Sequence, residues 1–441
     1  MKQIFFCKPP VPGKVKTRLA SFFGEDVACE FYRHLLANSW KSFDPELLEF
    51  HAQDAEKSDD LLNLLPAGTG LFSQKGNDLG ERMAFALHET ALRTGEDVLL
   101  AGTDIPEYSA TIARKAARIL REKDFVLGPA SDGGYYLIGV SARKAADVNF
   151  VRRIFQQMEW SSPDVFEKQK EKLEELGYSP GILETLDDVD DIHDILAWRK
   201  RGIHFPEHLM PDIRAVLPVL NEVENLPFVL NPLLESGIFR EVICADNGST
   251  DGSVELALSL GAKVTSCSER GYGAALLAAM ADVEKRGGCD VLLFLDADGA
   301  DDPSYIFDLL APVASGKYDF SLGHRNPELS EPGSVLPHAR FGNWLAVTLI
   351  RFFWSHAFRD LGPFRALRWD SLMKLKMSDR NFGWTIEMQI RALKEKLRIV
   401  EIPVRHRKRH AGVSKVSSTL TGSFRAGQVI LGTVLREWLK K

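Results

Sequence analysis

The chain reads as an α/β protein of two tandem domains, each a mostly parallel sheet flanked by helices, and three observations carry that reading. Apolar runs of strand length alternate with amphipathic runs of helix length along all 441 residues, the pattern of layered α/β units. One block of sequence recurs. Asp97-Val98-Leu99-Leu100 leads into Thr103-Asp104-Ile105-Pro106, and later Asp290-Val291-Leu292-Leu293 leads into Asp296-Ala297-Asp298 and on to Pro303. About one helix further, Asp124 to Gly128 in the first half matches Asp319 to Gly323 in the second. Two matches at nearly the same separation indicate related folds in series. Finally, a helix over 191–200 gives way to Phe205-Pro206 and Met210-Pro211 before a new strand at Ile213. Prolines there mark a boundary near Gly202–Asp212 and divide the chain into 1–205 and 206–441.

Composition narrows the class. Hydrophobic content of 45% and charged content of 26% are those of an ordinary globular protein. A net charge of −6 argues against nucleic acid as a partner. The charge is unevenly spread, since Arg391–Lys441 carries thirteen Lys/Arg against three Glu. That basic end suits ligand phosphates or an anionic membrane surface. Five scattered cysteines without CxxC spacing indicate neither a disulfide framework nor a zinc site. Met1–Cys7 enters a strand with no signal-peptide pattern, and no apolar run reaches a membrane-spanning length of about 18–20 residues. The expected location is cytoplasmic, with peripheral contact at the inner membrane face through the amphipathic 420–439 segment.

In the first half, strand 3–6 runs into a Pro/Gly-shaped loop bearing Lys8, Lys14, Lys16 and Arg18 ahead of a helix. The Gly-x-x-x-x-Gly-Lys spacing of a P-loop is missing, but four cations in such a loop suit a triphosphate. Asp104 stands where the second half has Asp296 or Asp298, so it is a candidate metal ligand. Gly128-Pro129-Ala130-Ser131-Asp132-Gly133-Gly134-Tyr135-Tyr136 follows, and Asp187, Asp188, Asp190 and Asp191 form an acidic cluster that equally suits a helix N-cap.

In the second half, strand 213–220 ends in Pro218-Val219-Leu220-Asn221-Glu222, and strand 241–245 ends in Asp246-Asn247-Gly248-Ser249-Thr250-Asp251-Gly252. Gly271-Tyr272-Gly273 opens a helix whose N-terminus can face phosphate. Strand 291–295 then delivers Asp296 and Asp298. Carboxylates one residue apart at a strand end can hold Mg²⁺ or Mn²⁺ through oxygen ligands shared with a diphosphate. Ligands of open parallel sheets sit at this edge.

These segments give residues 213–441 a resemblance to the family-2 glycosyltransferases, in particular the dolichyl-phosphate mannose or glucose synthase group. The resemblance implies a GT-A-like fold, a nucleotide-sugar donor and an inverting transfer. It implies donor contacts at Pro218, Glu222, Asp246 and Asp296, with metal at Asp296 and Asp298. Gly323-His324-Arg325 is similar to the group's Gly-Ser-Arg, and Asp360-Leu361-Gly362-Pro363-Phe364-Arg365 to its Asp-x-x-Ser-Gly-Phe-Arg. Arg409 to Lys415 resembles its late Arg-x-x-Gly-x-Ser-Lys, adding Arg409 and Lys415 as donor contacts. Arg325, Arg340 and Arg365 become the implied acceptor-binding cations. Two departures stand out: Ala300 replaces a Gln two residues past the DxD, with Asp301 and Asp302 as substitutes, and Gly362 replaces the group's serine. Arg405, Arg407 and Lys408 could also clamp diphosphate.

The acceptor decides whether a base is needed. An ionised phosphate attacks directly, whereas a hydroxyl needs a general base, for which Asp360 and Glu387 are the candidates. Residues 1–200 resemble an incompletely characterised nucleotidyltransferase-like family, related to the phospholactate guanylyltransferases and including members labelled as arsenosugar-biosynthesis glycosyltransferases. That resemblance implies nucleotide contacts at Lys16, Arg18 and Asp132, and metal at Asp104. The resulting expectation is a metal-dependent hexose transfer from UDP- or GDP-sugar to a polyprenyl phosphate or a small soluble acceptor. The first domain either forms the nucleotide-sugar or is a silent recruiting or dimerising module, and a hydroxyl acceptor in a specialised glycoside pathway is the rival. Oligomeric state is left open by the sequence.

Overall fold

The computed structural model describes residues 1–53, 59–160, 162–412 and 420–440, excepting the side chains of Asp59 and 420–427. The chain forms two compact units, Met1–Ala20 with Glu25–Leu209, and Ser21–Gly24 with Met210–Lys441.

In the first unit the strands are β1 (Lys2–Cys7), β2 (Leu48–Ala52), β3 (Gly70–Ser73), β4 (Val98–Ala101), β5 (Phe125–Pro129), β6 (Tyr135–Val140) and β7 (Gly181–Ile182). They form one seven-stranded sheet in the order β3-β2-β1-β4-β6-β5-β7. Only β6 runs against its neighbours. Helices cover both faces, so the strands are apolar throughout rather than alternating with polar residues. Successive residues nonetheless go to opposite cores. Phe5 and Leu99 join one cluster, whereas Ile4, Val98 and Leu100 join the other, against Met83, Leu87 and Ala91 of the Leu79–Thr94 helix.

The second unit has β8 (Ile213–Val219), β9 (Glu241–Asp246), β10 (Lys263–Ser266), β11 (Val291–Phe294), β12 (Phe320–Arg325), β13 (Arg365–Arg368) and β14 (Ile399–Val404). Their order is β10-β9-β8-β11-β13-β12-β14, with β13 antiparallel. Counted from its own first strand, each sheet reads 3-2-1-4-6-5-7 with the sixth strand reversed. The repeat therefore extends to the whole strand order and strand directions, and the fold is α/β twice over, as the sequence predicts. Val216, Ile243, Leu292 and Phe320 form the core with Leu276, Ala279 and Val283 of the Tyr272–Lys285 helix. That helix docks closely: at Gly271 (φ +147) a Cβ would meet the Arg380 carbonyl at 2.1 Å, so only glycine fits.

Candidate active site

At the carboxyl ends of β8 and β11 a cavity of about 400 Å³ is lined by Pro218, Glu222, Asn247, Tyr272, Asp296, Asp298, Arg325 and Arg409, among others. Asn221, at φ 51, turns the chain out of β8 so that the next residue, Glu222, faces inward. The buried Glu222 carboxylate accepts from Asn225 Nδ2 at 2.6 Å and from Arg409 Nη1 at 3.0 and 3.1 Å. The other Arg409 nitrogen donates to Asp298 Oδ2 at 2.9 Å. One guanidinium from beyond β14 thus joins the ends of β8 and β11. Tyr272 Oη donates to Asp296 Oδ1 at 3.0 Å, a contact no sequence pattern had singled out.

Asp296 and Asp298 are the pair suited to a divalent cation. Burial, then the neighbouring carboxylates of Asp298 and Asp301, raise the Asp296 carboxyl well above its ordinary range. Burial also raises Asp298, against the opposing pull of Arg409. Crowded carboxylates of this kind fit a hard cation with oxygen ligands. No group of three or more His, Cys, Asp or Glu converges as metal ligands among the described residues. A cation here would therefore complete its shell with diphosphate oxygens and water, the habit of Mg²⁺.

Several expected site residues do other work. Asp246 is buried and does not line the cavity; its carboxylate caps the turn by accepting from Gly248 N at 3.0 Å and Ser249 N at 2.9 Å. The next residue, Asn247, reaches the cavity instead. Glu387 is fully buried and cannot serve as a base. It accepts from Ser378 N, Ser378 Oγ and Asp379 N and pairs with Arg391, tying a loop to its helix. Arg365 is also fully buried, its guanidinium donating to the carbonyls of Gly362 and Thr385, and burial lowers it to about 10. It cannot meet an acceptor phosphate. Arg405 and Arg407 both bind Asp302, each at 2.6 Å, and none of the three lines the cavity. Asp301 turns inward to accept the Asp296 amide. Lys415 lies outside the described residues.

Asp360 also proves structural. Its buried carboxylate takes Arg325 Nε at 2.7 Å, Nη2 at 2.6 Å and the Arg325 amide at 2.9 Å. Burial pushes this carboxyl up, but Arg325 outweighs burial and holds it below the usual range. A fully engaged carboxylate of low basicity is no general base. Arg325 lines both the cavity that holds Asp296 and Asp298 and a second one of about 690 Å³, which also takes in His324, Asn343, Arg340 and Arg359. The Arg359 amide donates to Glu401 at 2.8 Å, and that carboxylate also feels the Arg359 charge. Gly362 has a local reason: a Cβ there would meet the Gly323 carbonyl at 2.5 Å, leaving no space for the serine that the sequence resemblance would place there.

The first unit has its own site at the equivalent edge. A cavity of about 370 Å³ gathers Lys8, Lys14, Lys16, Arg18, Arg82, Asp104 and Asp190. Lys16 (φ 47) is held by Asp104 at 2.7 Å and Asp190 at 3.0 Å. Asp191 is the N-cap of the Ile192–Lys200 helix, in a capping box with Asp194. Burial, then Asp190 and Asp132, push Asp188 up to about 6. Asp132 lines an adjoining cavity with Arg18, Tyr135 and Trp160; between Asp132 and that wall, Gly133 (φ +89) approaches the Pro163 carbonyl too closely for any Cβ.

Strand ends that collect paired carboxylates, a cation and a glycine-opened helix form a candidate site of the kind that suits a diphosphate. Residues 215–375 match the family "Glycosyl transferase family 2", and the chain belongs to that family through its second unit. An uncharacterized glycosyltransferase of Mycobacterium tuberculosis is 33% identical over 212 residues, 48% of this chain and 92% of the relative. The polyprenol monophosphomannose synthase of Mycolicibacterium smegmatis is 29% identical over 224 residues, 46% of this chain and 80% of the relative. Among solved structures, the glucosyl-3-phosphoglycerate synthase of Mycobacterium tuberculosis, in complex with Mn²⁺, UDP and glucosyl-3-phosphoglycerate, is similar at 21% identity and a TM-score of 0.42. That match covers 52% of this chain and 80% of that one. Residues 42–162 match "Uncharacterized protein conserved in bacteria (DUF2064)". The protein is a glycosyltransferase.

Proposed function

We propose that the second unit transfers a hexose, with inversion, from a UDP- or GDP-sugar to a polyprenyl phosphate. The observation that carries this reading is the pair of cavities sharing Arg325, one with the carboxylate pair and Arg409, the other with Arg340 and Arg359. Glu222 and Pro218 bound the nucleoside end of the donor, and Asp296 and Asp298 are the residues that would hold a divalent cation for the diphosphate. Bound there, that cation supplies charge neutralisation for the departing nucleoside diphosphate. Arg409 can bind the same diphosphate through charge-assisted hydrogen bonds. Arg340 and Arg359 hold the acceptor phosphate, and Arg325, fixed by Asp360, forms the wall between the two substrates. A phosphate oxygen attacks the anomeric carbon as its bond to the diphosphate breaks and the electron pair leaves with the diphosphate.

A phosphate acceptor is favoured over a hydroxyl because both carboxylates that could act as bases, Asp360 and Glu387, are engaged in structure. An ionised phosphate needs no base. The test is transfer of labelled hexose from UDP- and GDP-sugars to short-chain polyprenyl phosphate with Mn²⁺ or Mg²⁺, beside the corresponding polyprenol. Product on the phosphate alone supports the reading; product on the alcohol alone overturns it.

The first unit, on this reading, binds a nucleoside triphosphate through Lys14, Lys16 and Arg18 and forms the nucleotide-sugar used by the second. Its gathering of cations around Asp104 supports that role. Asp104→Ala then abolishes synthesis of nucleotide-sugar from sugar phosphate and triphosphate while leaving transfer from the complete donor untouched. Absence of any synthesis by the wild type with all four triphosphates would leave the first unit a recruiting or dimerising module.

A further inference from the structure

The Pro337–Trp354 helix spans about 27 Å at the usual rise per residue and carries its apolar residues on two faces. Ala346 and Ile350 are fully buried in the core. On the opposite side Phe341, Trp344 and Phe352 are 63%, 57% and 79% exposed, spaced three and eight residues apart so that they share one stripe. Exposed aromatic stripes of this size on a globular protein mark an interaction surface. The helix has no acidic residue, and Arg340 and Arg351 are exposed alongside the aromatic groups. No helix among the described residues is long and apolar enough to cross a membrane.

We infer that this face lies in the headgroup–acyl boundary of an anionic lipid bilayer and passes a lipid-linked phosphate into the cavity that Arg340 lines. Aromatic rings with interleaved arginine and no acid form the composition of helices that lie in a membrane interface. The charge is complementary to anionic headgroups, which attract such arginines in a salt-dependent way. Arg340 belongs to both the helix and the acceptor cavity, so the docking face and the acceptor site adjoin. The sequence places membrane contact on the 420–439 segment. The structure shifts the weight of it: the Leu420–Leu439 helix buries Val434 and Glu437 and packs its Trp438 ring 5.2 Å from Phe353, leaving Leu431, Leu435 and Leu439 exposed.

This inference rests on the lipid-phosphate acceptor proposed above, and the experiment separates the two. The full-length wild type and a Phe341→Ser/Phe352→Ser variant are floated with phosphatidylglycerol or phosphatidylcholine vesicles, without donor. Both are also assayed on a short-chain, water-soluble polyprenyl phosphate. The expected result is flotation of the wild type with phosphatidylglycerol only, at least tenfold weaker partition of the variant, and equal transfer to the soluble acceptor with an unchanged Tm. Wild type that stays at the bottom of the gradient while turning over the soluble phosphate overturns the membrane face and leaves the acceptor reading standing. Flotation without any transfer to phosphate removes the acceptor reading, and with it the delivery of a lipid-linked phosphate, and leaves only the membrane face standing. A concentration-dependent dimer that the variant loses, with no flotation of either protein, overturns the inference in favour of a self-association surface.

Discussion

In the second unit, carboxylates come from the ends of the first and fourth strands, Glu222 and the Asp296–Asp298 pair, and the cation joining them, Arg409, comes from beyond the seventh. In the first unit the first and last of these places exchange signs, while the end of the fourth strand stays acidic. The cation Lys16 follows the first strand, Asp104 follows the fourth, and Asp190 lies beyond the seventh. Each unit also has a non-glycine residue at positive φ between its first strand and the following helix, Lys16 and Asn221. One backbone thus supports two charge patterns at one edge. On the proposed function, the acid-rich pattern would need a bound cation before a diphosphate could approach, whereas the cation-rich one could take phosphate directly. Strand order fixes where the ligand sits, and the loops decide its chemistry.

The largest effect is expected in stability. Asp360→Asn leaves Arg325, whose side chain is only 21% exposed, without its charge partner, which costs up to about 3–5 kcal/mol, read as a lower urea midpoint. If Asp360 were instead a general base, the rate would fall about 10²–10⁴-fold at unchanged stability. Next, Asp298→Ala should lower transfer on the order of 10²–10³-fold, with chelation of the wild type matching it. Because Asp298 is partly exposed and lies at the cavity wall, its unfolding midpoint should stay within experimental error.

The counterpart in the first unit is smaller. Lys16→Met removes a charge-assisted phosphate contact worth about 1.5–3 kcal/mol, so triphosphate binding should weaken roughly 10- to 100-fold while transfer from preformed donor is unchanged. An effect of Lys16→Met on transfer, or of Asp298→Ala on triphosphate binding, would break the division between the two edges. The smallest effect is a pH slope. Burial would raise Glu49, but His51, Arg93 and Thr90 bring it down to about 2. Its stabilisation is therefore complete above an unfolded carboxyl range of about 4.3 and is lost as pH falls toward 2. Glu49→Gln should remove that acid slope, roughly 1–3 kcal/mol, from the unfolding curve.

How far the sequence carries can be judged from individual residues. The repeat at Val98 and Val291 was legible because buried strands ending in acidic turns keep a distinctive pattern, and the common strand order follows from it. Glu222, Asp296, Asp298 and Arg409 were legible as short motifs at strand ends, which the fold gathers around one cavity. The errors share a cause. Asp360, Glu387, Arg365 and the Arg405/Arg407 pair look like functional groups in a one-dimensional string, yet each finds a partner that only the folded chain supplies. Asp360 meets Arg325 from a strand 35 positions earlier, and Asp302 meets arginines over 100 positions later. A spacing rule does not encode such pairings. Tyr272 and Arg359 were missed for the converse reason, since no motif flags a lone tyrosine or arginine until its cavity exists.

Each unit is proposed to have one nucleotide site at its carboxyl edge, acid-rich in the second unit and cation-rich in the first. Isothermal titration of the full-length protein tests it most directly, using a nucleoside diphosphate-sugar with Mn²⁺ and, separately, nucleoside triphosphates. Two independent sites per chain are expected, the diphosphate-sugar site lost in Asp298→Ala and the triphosphate site lost in Lys16→Met. A single site per chain, or the loss of both sites on either substitution, would contradict it.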